Sequence, residues 1–197
     1  MGTPKATLDW HGTSLVAHVA GVLAGAVDGP VVVVRSRDQE LPPLPNGVEL
    51  AEDGHDGLGP LAGLAAGLAA VEDRARAAFV AAVDLPLLHA AFVQRVTTAL
   101  EEDWEAAVPR AGGRPHPLAA AYRTELWARA EELLQADRRR VLDLVERSRV
   151  RWLDEAEFLA DPAIAAVDAG LDGLRNLNSR ADYEAALAGR DFPAARQ

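Results

Sequence analysis

The sequence predicts an α/β domain in which a mostly parallel sheet lies between layers of helices. Short apolar runs, typical of strands buried on both faces, alternate with longer segments in which Leu, Val and Ala recur at helical spacing. The clearest runs are the four valines at 31–34 and the segment 79–83. Strands separated by helices form right-handed crossovers, which make the connected strands parallel. Because 197 residues suffice for one core, we predict a single domain over residues 1–197.

The elements follow one another in a regular order. A helix is predicted at 14–27, and Asp28-Gly29-Pro30 ends it before the strand at 31–34. A short strand at 48–50 follows a proline-rich turn. The later predictions are a helix at 61–71, a strand at 79–83, a helix at 89–101, strands at 106–109 and 118–122, a helical region at 125–147, a strand at 150–153 and a helix at 180–187.

Composition excludes several classes of function. The net charge of -10 opposes binding to nucleic acid or to an anionic membrane, and no apolar segment is long enough to span a bilayer. The absence of cysteine excludes a disulfide framework, a thiolate metal site and a cysteine nucleophile, and it fits a cytoplasmic location. The sequence also lacks the motifs of serine hydrolases, P-loop enzymes and dinucleotide dehydrogenases.

Lys5 is the only lysine among 20 basic residues, so every other one is an arginine. A compact ammonium suits a position between phosphate oxygens, whereas a guanidinium presents a planar fork. A surface lysine near a chain terminus would give the same pattern. Composition alone therefore leaves a phosphate ligand and an exposed surface residue as two interpretations of Lys5.

Asp84 follows the apolar strand at 79–83 directly and precedes Leu85-Pro86. This position predicts a carboxylate at the carboxyl edge of the sheet, where ligands bind in α/β folds. Mg²⁺ is commonly held there by one or two carboxylates, with phosphate oxygens and waters completing the coordination. The alternative interpretation is an aspartate that caps a turn or a helix.

The stretch 56–63 places glycines and a proline just before a helix. Glycine allows close approach of the backbone to a ligand, and the helix start that follows Gly59 and Pro60 offers free N–H groups to an anion or a base edge. The Asp56 carboxylate could accept hydrogen bonds from the adjacent donors N1 and N2 of guanine, and Asp53 competes for this role. An ordinary strand-to-helix loop with proline in the first turn is the alternative.

His116 lies between two prolines, in a stiff loop that enters a strand. Such a histidine is held in place, which suits contact with a substrate. The five histidines show no spacing typical of a zinc site, so no zinc is predicted. A histidine with a purely structural place in the loop is the alternative.

Five short motifs together are similar to those of one known family. In chain order they are Met1-Gly2-Thr3-Pro4-Lys5-Ala6-Thr7-Leu8, Gly59-Pro60-Leu61-Ala62-Gly63, Val83-Asp84-Leu85-Pro86, His116-Pro117 and Asn176-Leu177-Asn178. Their order and spacing over nearly the whole chain resemble the molybdenum cofactor guanylyltransferase family, of the MobA type. The glycine loop resembles the guanylyl members more than the cytidylyl branch.

The resemblance implies a three-layer, Rossmann-like nucleotidyltransferase domain. It implies transfer of GMP from GTP to the terminal phosphate of Mo-molybdopterin with release of pyrophosphate, dependent on Mg²⁺, and contact with other cofactor-assembly proteins. The alternatives are a related transferase that uses CTP or another phosphorylated acceptor, and an inactive remnant. The resemblance implies that Lys5 contacts phosphates and takes part in catalysis, and that Asp84 binds the metal, contacts the nucleotide and takes part in catalysis. It implies nucleotide recognition by Asp53, Asp56, Gly59 and Pro60. It implies molybdopterin contact by His116, Asn176 and Asn178.

The sequence departs from the family at its start. The family motif begins with an apolar strand that runs into a Leu-Ala-Gly-Gly-x-Ser-x-Arg loop, and this sequence begins after that loop. We therefore expect the first strand of the sheet to be missing, with edges of two neighbouring strands unpaired. Our hypothesis is a misplaced initiation codon or a truncation. Pro4 also replaces a usual aspartate, and Val34 lies where some members have asparagine.

Overall fold

The structure is a computed structural model and describes residues 4–55 and 57–189. It begins with a short 3-10 turn at Lys5–Thr7, followed by a small antiparallel hairpin of β1 (Asp9–Trp10) and β2 (Thr13–Ser14). The hairpin turn has positive φ at both of its central residues, 51° at His11 and 88° at Gly12, as tight hairpins require. This hairpin was not predicted from the sequence.

The first half of the chain alternates helix and strand as predicted. Helix α1 (Leu15–Ala26) begins where the Ser14 hydroxyl oxygen accepts the Ala17 N–H at 3.3 Å. Strands β3 (Val31–Ser36) and β4 (Val48–Asp53) pair in parallel, with Val31 opposite Val48. Helix α2 (Pro60–Val71) then leads to β5 (Ala77–Ala81), two residues before the predicted position of that strand.

The second half contains shorter elements. The predicted helix at 125–147 is two helices, because Asp137 adopts a left-handed φ of 57° that no continuous helix accommodates. Two short helices after the last strand were also not predicted. The elements are α3 (Ala90–Thr98), β6 (Ala106–Ala111), β7 (Arg114–Pro115), β8 (Ala119–Arg123), α4 (Leu126–Gln135), α5 (Val141–Val145), β9 (Val150–Asp154), α6 (Glu155–Leu159), α7 (Pro162–Ala165) and α8 (Arg180–Leu187).

The larger sheet is mixed rather than mostly parallel. Strand β8 is antiparallel to both β5 and β6, and β6 is antiparallel to β7 but parallel to β9. The reason is the connection between β6 and β8, since residues 112–118 are too few for the crossover helix that parallel strands need. The predicted α/β class is nevertheless confirmed, with parallel strands in both the β3–β4 and β6–β9 pairs.

The core lies in two layers, one on each face of the larger sheet. On one face α2, α4 and α5 pack around Leu68, Tyr122 and Leu133. On the other face α3, α6 and α7 enclose Phe92 and Phe158, whose rings stack with centroids 4.7 Å apart. These layers give the three-layer arrangement that the alternation of strands and helices predicted.

A cleft of about 620 Å³ separates β3 from β5. Among the described residues, β3 pairs only with β4, and β5 pairs only with β8, so each strand has a free edge on the cleft. Because α2 is the crossover from β4 to β5, we infer that β5 runs parallel to β3. The side chains that line the cleft are largely apolar and include Val32, Val34, Leu64, Phe79, Val80 and Leu118.

Within residues 4–55 and 57–189, no helix combines the length and the apolar character needed to cross a bilayer.

Candidate functional site

Three distant segments of the chain meet at Asp84, which lies just beyond the carboxyl end of β5. The Lys5 ammonium donates to Asp84 Oδ2 at 2.6 Å, and the Asn176 side-chain amide donates to Asp84 Oδ1 at 2.8 Å. The backbone N–H of Leu177 also donates to the Asp84 carbonyl oxygen at 2.9 Å. The Asp84 carboxylate therefore has a cation on one oxygen and a neutral donor on the other.

The 3-10 turn at Lys5–Thr7 positions the lysine. The Thr7 hydroxyl donates to the Pro4 carbonyl oxygen at 2.9 Å, and the Leu8 N–H donates to the Lys5 carbonyl oxygen at 3.1 Å. Ala6 is buried and anchors the turn. The Lys5 side chain keeps 33% exposure against 16% for Asp84, so a ligand can reach the ammonium.

The Asp84 carboxylate can bind a metal ion that is brought to the site by a phosphate-containing substrate. Each carboxylate oxygen has two lone-pair directions, so the bonds from Lys5 and Asn176 leave Asp84 with capacity for a cation. Within the part of the chain that the structure describes, no group of three or more acidic or histidine side chains could hold a metal ion by itself. One carboxylate completed by phosphate oxygens and waters is the usual environment of Mg²⁺.

The loop before α2 is fixed where it leaves β4. Asp53 ends β4, and its Oδ1 accepts the His55 N–H at 2.9 Å. The His55 ring contacts Glu131 on α4 through Nε2 and Oε2 at 2.8 Å. Asp56, which we predicted to contact guanine, lies outside the described residues.

Gly59 makes the start of α2 accessible. Its φ of 85° lies in the region that favours glycine, and α2 begins at the next residue, Pro60. Gly59 provides no side-chain cap, and its carbonyl oxygen accepts the Ala62 N–H at 3.2 Å, so Gly59 leaves the first-turn N–H of Leu61 uncapped for an anion or a base edge. The predicted helix start at this loop is therefore present.

His116 makes local contacts in the turn between β6 and β8. Its Nε2–H donates to the Ala111 carbonyl oxygen at 3.2 Å, and its backbone N–H donates to the Pro109 carbonyl oxygen at 2.8 Å. Burial lowers the pKa of His116, and the nearby positive charge of Arg114 lowers it further, against the opposing effects of the Ala111 carbonyl and Glu155. These contacts hold the ring in place within the turn.

We expect His116 to make the folded protein less stable in mild acid. Because its pKa is lower in the folded state, the unfolded chain binds the proton more readily. Its contribution to stability is complete above the ordinary histidine pKa of about 6.5 and is lost as the pH falls through the folded pKa. Thermal unfolding between about pH 7.5 and about pH 5.5 should show a smaller fall in midpoint for His116→Gln than for the wild type. An equal fall in both proteins would contradict this assignment.

Asn176 and Asn178 have different surroundings. Asn176 contacts Asp84 directly, whereas Asn178 is exposed and its backbone N–H donates to Asp182 Oδ2 at 3.2 Å at the start of α8. The sequence analysis missed His18, whose Nε2–H donates to the Pro86 carbonyl oxygen at 2.8 Å and fixes the loop after Asp84. Its position three residues after the buried Leu15 placed it on the inner face of α1, which was the available signal.

In this three-layer α/β fold, a lysine suited to phosphate oxygens and an aspartate suited to a metal ion are paired at the carboxyl end of a strand, where such folds bind ligands. Residues 1–175 match the MobA-like NTP transferase domain family. The chain belongs to this family, which confirms the resemblance found in the sequence.

Similar sequences support the family assignment, and solved structures support the fold. A protein of Mycobacterium marinum, named "Probable molybdenum cofactor guanylyltransferase", is 42% identical over 94% of this chain and 86% of its own length. Molybdopterin-guanine dinucleotide biosynthesis protein A from Archaeoglobus fulgidus shares the fold, with a TM-score of 0.74 and 21% identity over 95% of this chain and 90% of that one. A Mycobacterium tuberculosis protein solved as a complex with manganese also shares it, with a TM-score of 0.56 and 17% identity over 77% of this chain and 80% of that one.

Proposed function

We propose that this protein transfers GMP from GTP to the terminal phosphate of Mo-molybdopterin and releases pyrophosphate. The observation that carries the proposal is the contact of Lys5 and Asn176 with Asp84 at the carboxyl end of β5. This cluster offers a cation for phosphate oxygens and a carboxylate for a metal ion in adjacent positions. The name of the 42% identical relative supports guanylyl transfer in molybdenum cofactor synthesis.

The reaction needs alignment and charge neutralisation more than acid–base catalysis. An oxygen of the acceptor phosphate attacks the α-phosphorus of GTP and forms a new phosphorus–oxygen bond. The bond from the α-phosphorus to the oxygen that bridges to the β-phosphate breaks, and its electron pair leaves with pyrophosphate. The attacking oxygen is already anionic, so no strong base is required. This is consistent with the absence of a nucleophile motif from the sequence.

Lys5 and Asp84 have complementary tasks in this reaction. The two side chains neutralise each other across 2.6 Å. We infer that the Lys5 ammonium turns to the phosphate oxygens of bound GTP, while Asn176 keeps the Asp84 carboxylate oriented for Mg²⁺. Bound Mg²⁺ would neutralise charge on the phosphates and on the leaving pyrophosphate. The Lys5 ammonium, beside Asp84, would add a positive charge from the protein to that of the metal ion.

The loop before α2 is our proposed guanine site. The Asp56 carboxylate would accept hydrogen bonds from N1 and N2 of guanine, and Asp53 is the alternative acceptor. Gly59 and Pro60 lie at the start of α2 without a side-chain cap, so they leave the helix start accessible to the base. Cytosine presents an acceptor nitrogen beside its amino group, so a carboxylate there would meet a lone pair. His116 and Asn178 stay predictions for the molybdopterin side.

A pyrophosphate-release assay with GTP or CTP tests this function. With Mo-molybdopterin as acceptor and Mg²⁺ present, we expect kcat/KM for GTP to exceed that for CTP about 10-fold or more. Asp56→Asn should reduce the preference and Asp53→Asn should leave it unchanged, which separates the two rivals. A preference for CTP would refute the proposed guanine site and favour the cytidylyl alternative.

We also infer that residues 1–197 form one domain whose sheet accepts one further strand in the cleft between β3 and β5. Both facing edges are free within the described residues, and the walls are largely apolar. Ala6 lines the same cleft, and Lys5 contacts Asp84 at the carboxyl end of β5. A strand parallel to β3 and β5 and joined ahead of residue 1 would end beside these two residues.

A further inference from the structure

Two loops that meet at Asp84 also meet at a second place. The first loop runs from Asp84 to His89, where α3 begins, and the second is the segment 168–177 that carries Asn176. At one end of the contact, Asp84 accepts hydrogen bonds from Asn176 and Leu177. At the other end, His89 faces the buried carboxylate of Asp168.

Asp168 organises the second loop through its two carboxylate oxygens. Oδ1 accepts the Asp172 N–H at 2.7 Å and Oδ2 accepts the Gly173 N–H at 2.9 Å. The side chain is 8% exposed, and His89 Nε2 lies 3.5 Å from Oδ2. Burial raises the pKa of Asp168, but the contacts with His89, Gly173 and Asp172 outweigh it and lower the pKa. Asp168 thus accepts two backbone hydrogen bonds, and the His89 ring lies at ion-pair distance without completing a third.

His89 has its own place fixed from the opposite side. Its Nδ1 accepts the Phe92 N–H at 3.3 Å and so caps the start of α3. In the neutral ring the proton is therefore on Nε2, which points to Asp168. The histidine links the helix that follows the Asp84 loop to the segment that carries Asn176.

Gly173 leaves no space between the two loops. A Cβ built on this glycine would lie 3.0 Å from Asp168 Oδ2 and 3.2 Å from the Leu87 carbonyl oxygen. The second of these atoms belongs to the backbone of the Asp84 loop. A side chain at Gly173 would therefore require the Asp168 carboxylate and the Leu87 carbonyl to shift by a few tenths of an ångström.

We propose that Asp168, supported by His89, is a positioning residue for the Asp84 site. It folds the segment 168–177 against the Asp84 loop, so that Asn176 and the Leu177 N–H meet Asp84 in a fixed geometry. This inference rests on the proposed function for its effect on turnover. Its structural part is independent of the substrate.

Asp168→Asn tests the inference, because the amide keeps the shape but has one acceptor oxygen, whereas the Asp172 and Gly173 N–H groups each bond a different carboxylate oxygen. We expect hydrogen exchange of the Leu177 N–H to accelerate about 10-fold or more, with exchange in β8 unchanged. We expect kcat with GTP to fall about 10-fold while KM changes little. Gly173→Ala should give the same pattern by displacing the Asp168 carboxylate and the Leu87 carbonyl.

Matched variants keep the test decisive. Asp161→Asn makes the same chemical change at the cap of α7, and Gly25→Ala adds a Cβ where nothing lies within 4 Å, so both should match the wild type. If Asp168→Asn does not fold, His89→Asn retains a cap for α3 while removing the contact with Asp168. Unchanged exchange at Leu177 in the folded variants would overturn the positioning role. Accelerated exchange in a protein without transferase activity would instead overturn the proposed function alone.

Discussion

Asp84→Asn is expected to lower kcat for nucleotidyl transfer about 10²- to 10³-fold. The substitution preserves the size of the side chain and an oxygen that can accept from Asn176. It removes the negative charge that pairs with Lys5 and that a metal ion requires, and it turns a donor amide toward the ammonium. The loss should therefore appear in chemistry far more than in folding.

Pyrophosphate release measured over a range of Mg²⁺ concentrations checks this expectation. The variant should need more Mg²⁺ for half-maximal rate and should not regain the wild-type kcat at saturation. Asp103→Asn, the same change at an exposed position, serves as the matched control and should leave kcat unchanged. If Asp84→Asn has the thermal unfolding midpoint of the wild type and retains kcat within about threefold of it, Asp84 is not at the reacting centre.

The place of Asp84 could be predicted from sequence for a local reason. An apolar strand followed by a carboxylate puts that carboxylate at the ligand-binding edge of the sheet. Its partners could not be derived in the same way, since Lys5 and Asn176 lie 79 and 92 residues away along the chain. Only the resemblance singled out all three residues, with Lys5 on the GTP phosphates, Asp84 on the metal and Asn176 on the molybdopterin side, and it did not predict the contact of Asn176 with Asp84.

The differences in fold have similar causes. Gly112 and Gly113, both with positive φ, form the tight turn of a hairpin between β6 and β7, and this turn makes the sheet mixed. The two-residue β7 carries no alternating pattern, so the sequence predicted only a loop around His116 that enters a strand. Asp168 gave no signal at all, since its role depends on backbone donors in a loop without periodicity.

Adding a strand ahead of residue 1 is expected to raise the thermal unfolding midpoint by about 10 °C. The extension would carry six alternating Val and Ile residues and a short flexible linker, and such a strand spans about 20 Å. It would pair with the free edges of β3 and β5 and bury its side chains against the cleft walls. The gain in burial and pairing, less the entropy of ordering the strand, is on the order of 3 kcal/mol.

Two control extensions separate strand pairing from a general effect of added residues. One replaces the apolar residues with serine, and the other places proline at the two central positions, which removes backbone donors while keeping apolar character. Only the uninterrupted strand should raise the midpoint and slow hydrogen exchange in both β3 and β5. Equal midpoints for all three extensions would show that the cleft does not accept a strand. Slower exchange in β3 and β5 together would show the opposite, because a single inserted strand is the arrangement that supplies partners to both edges at once.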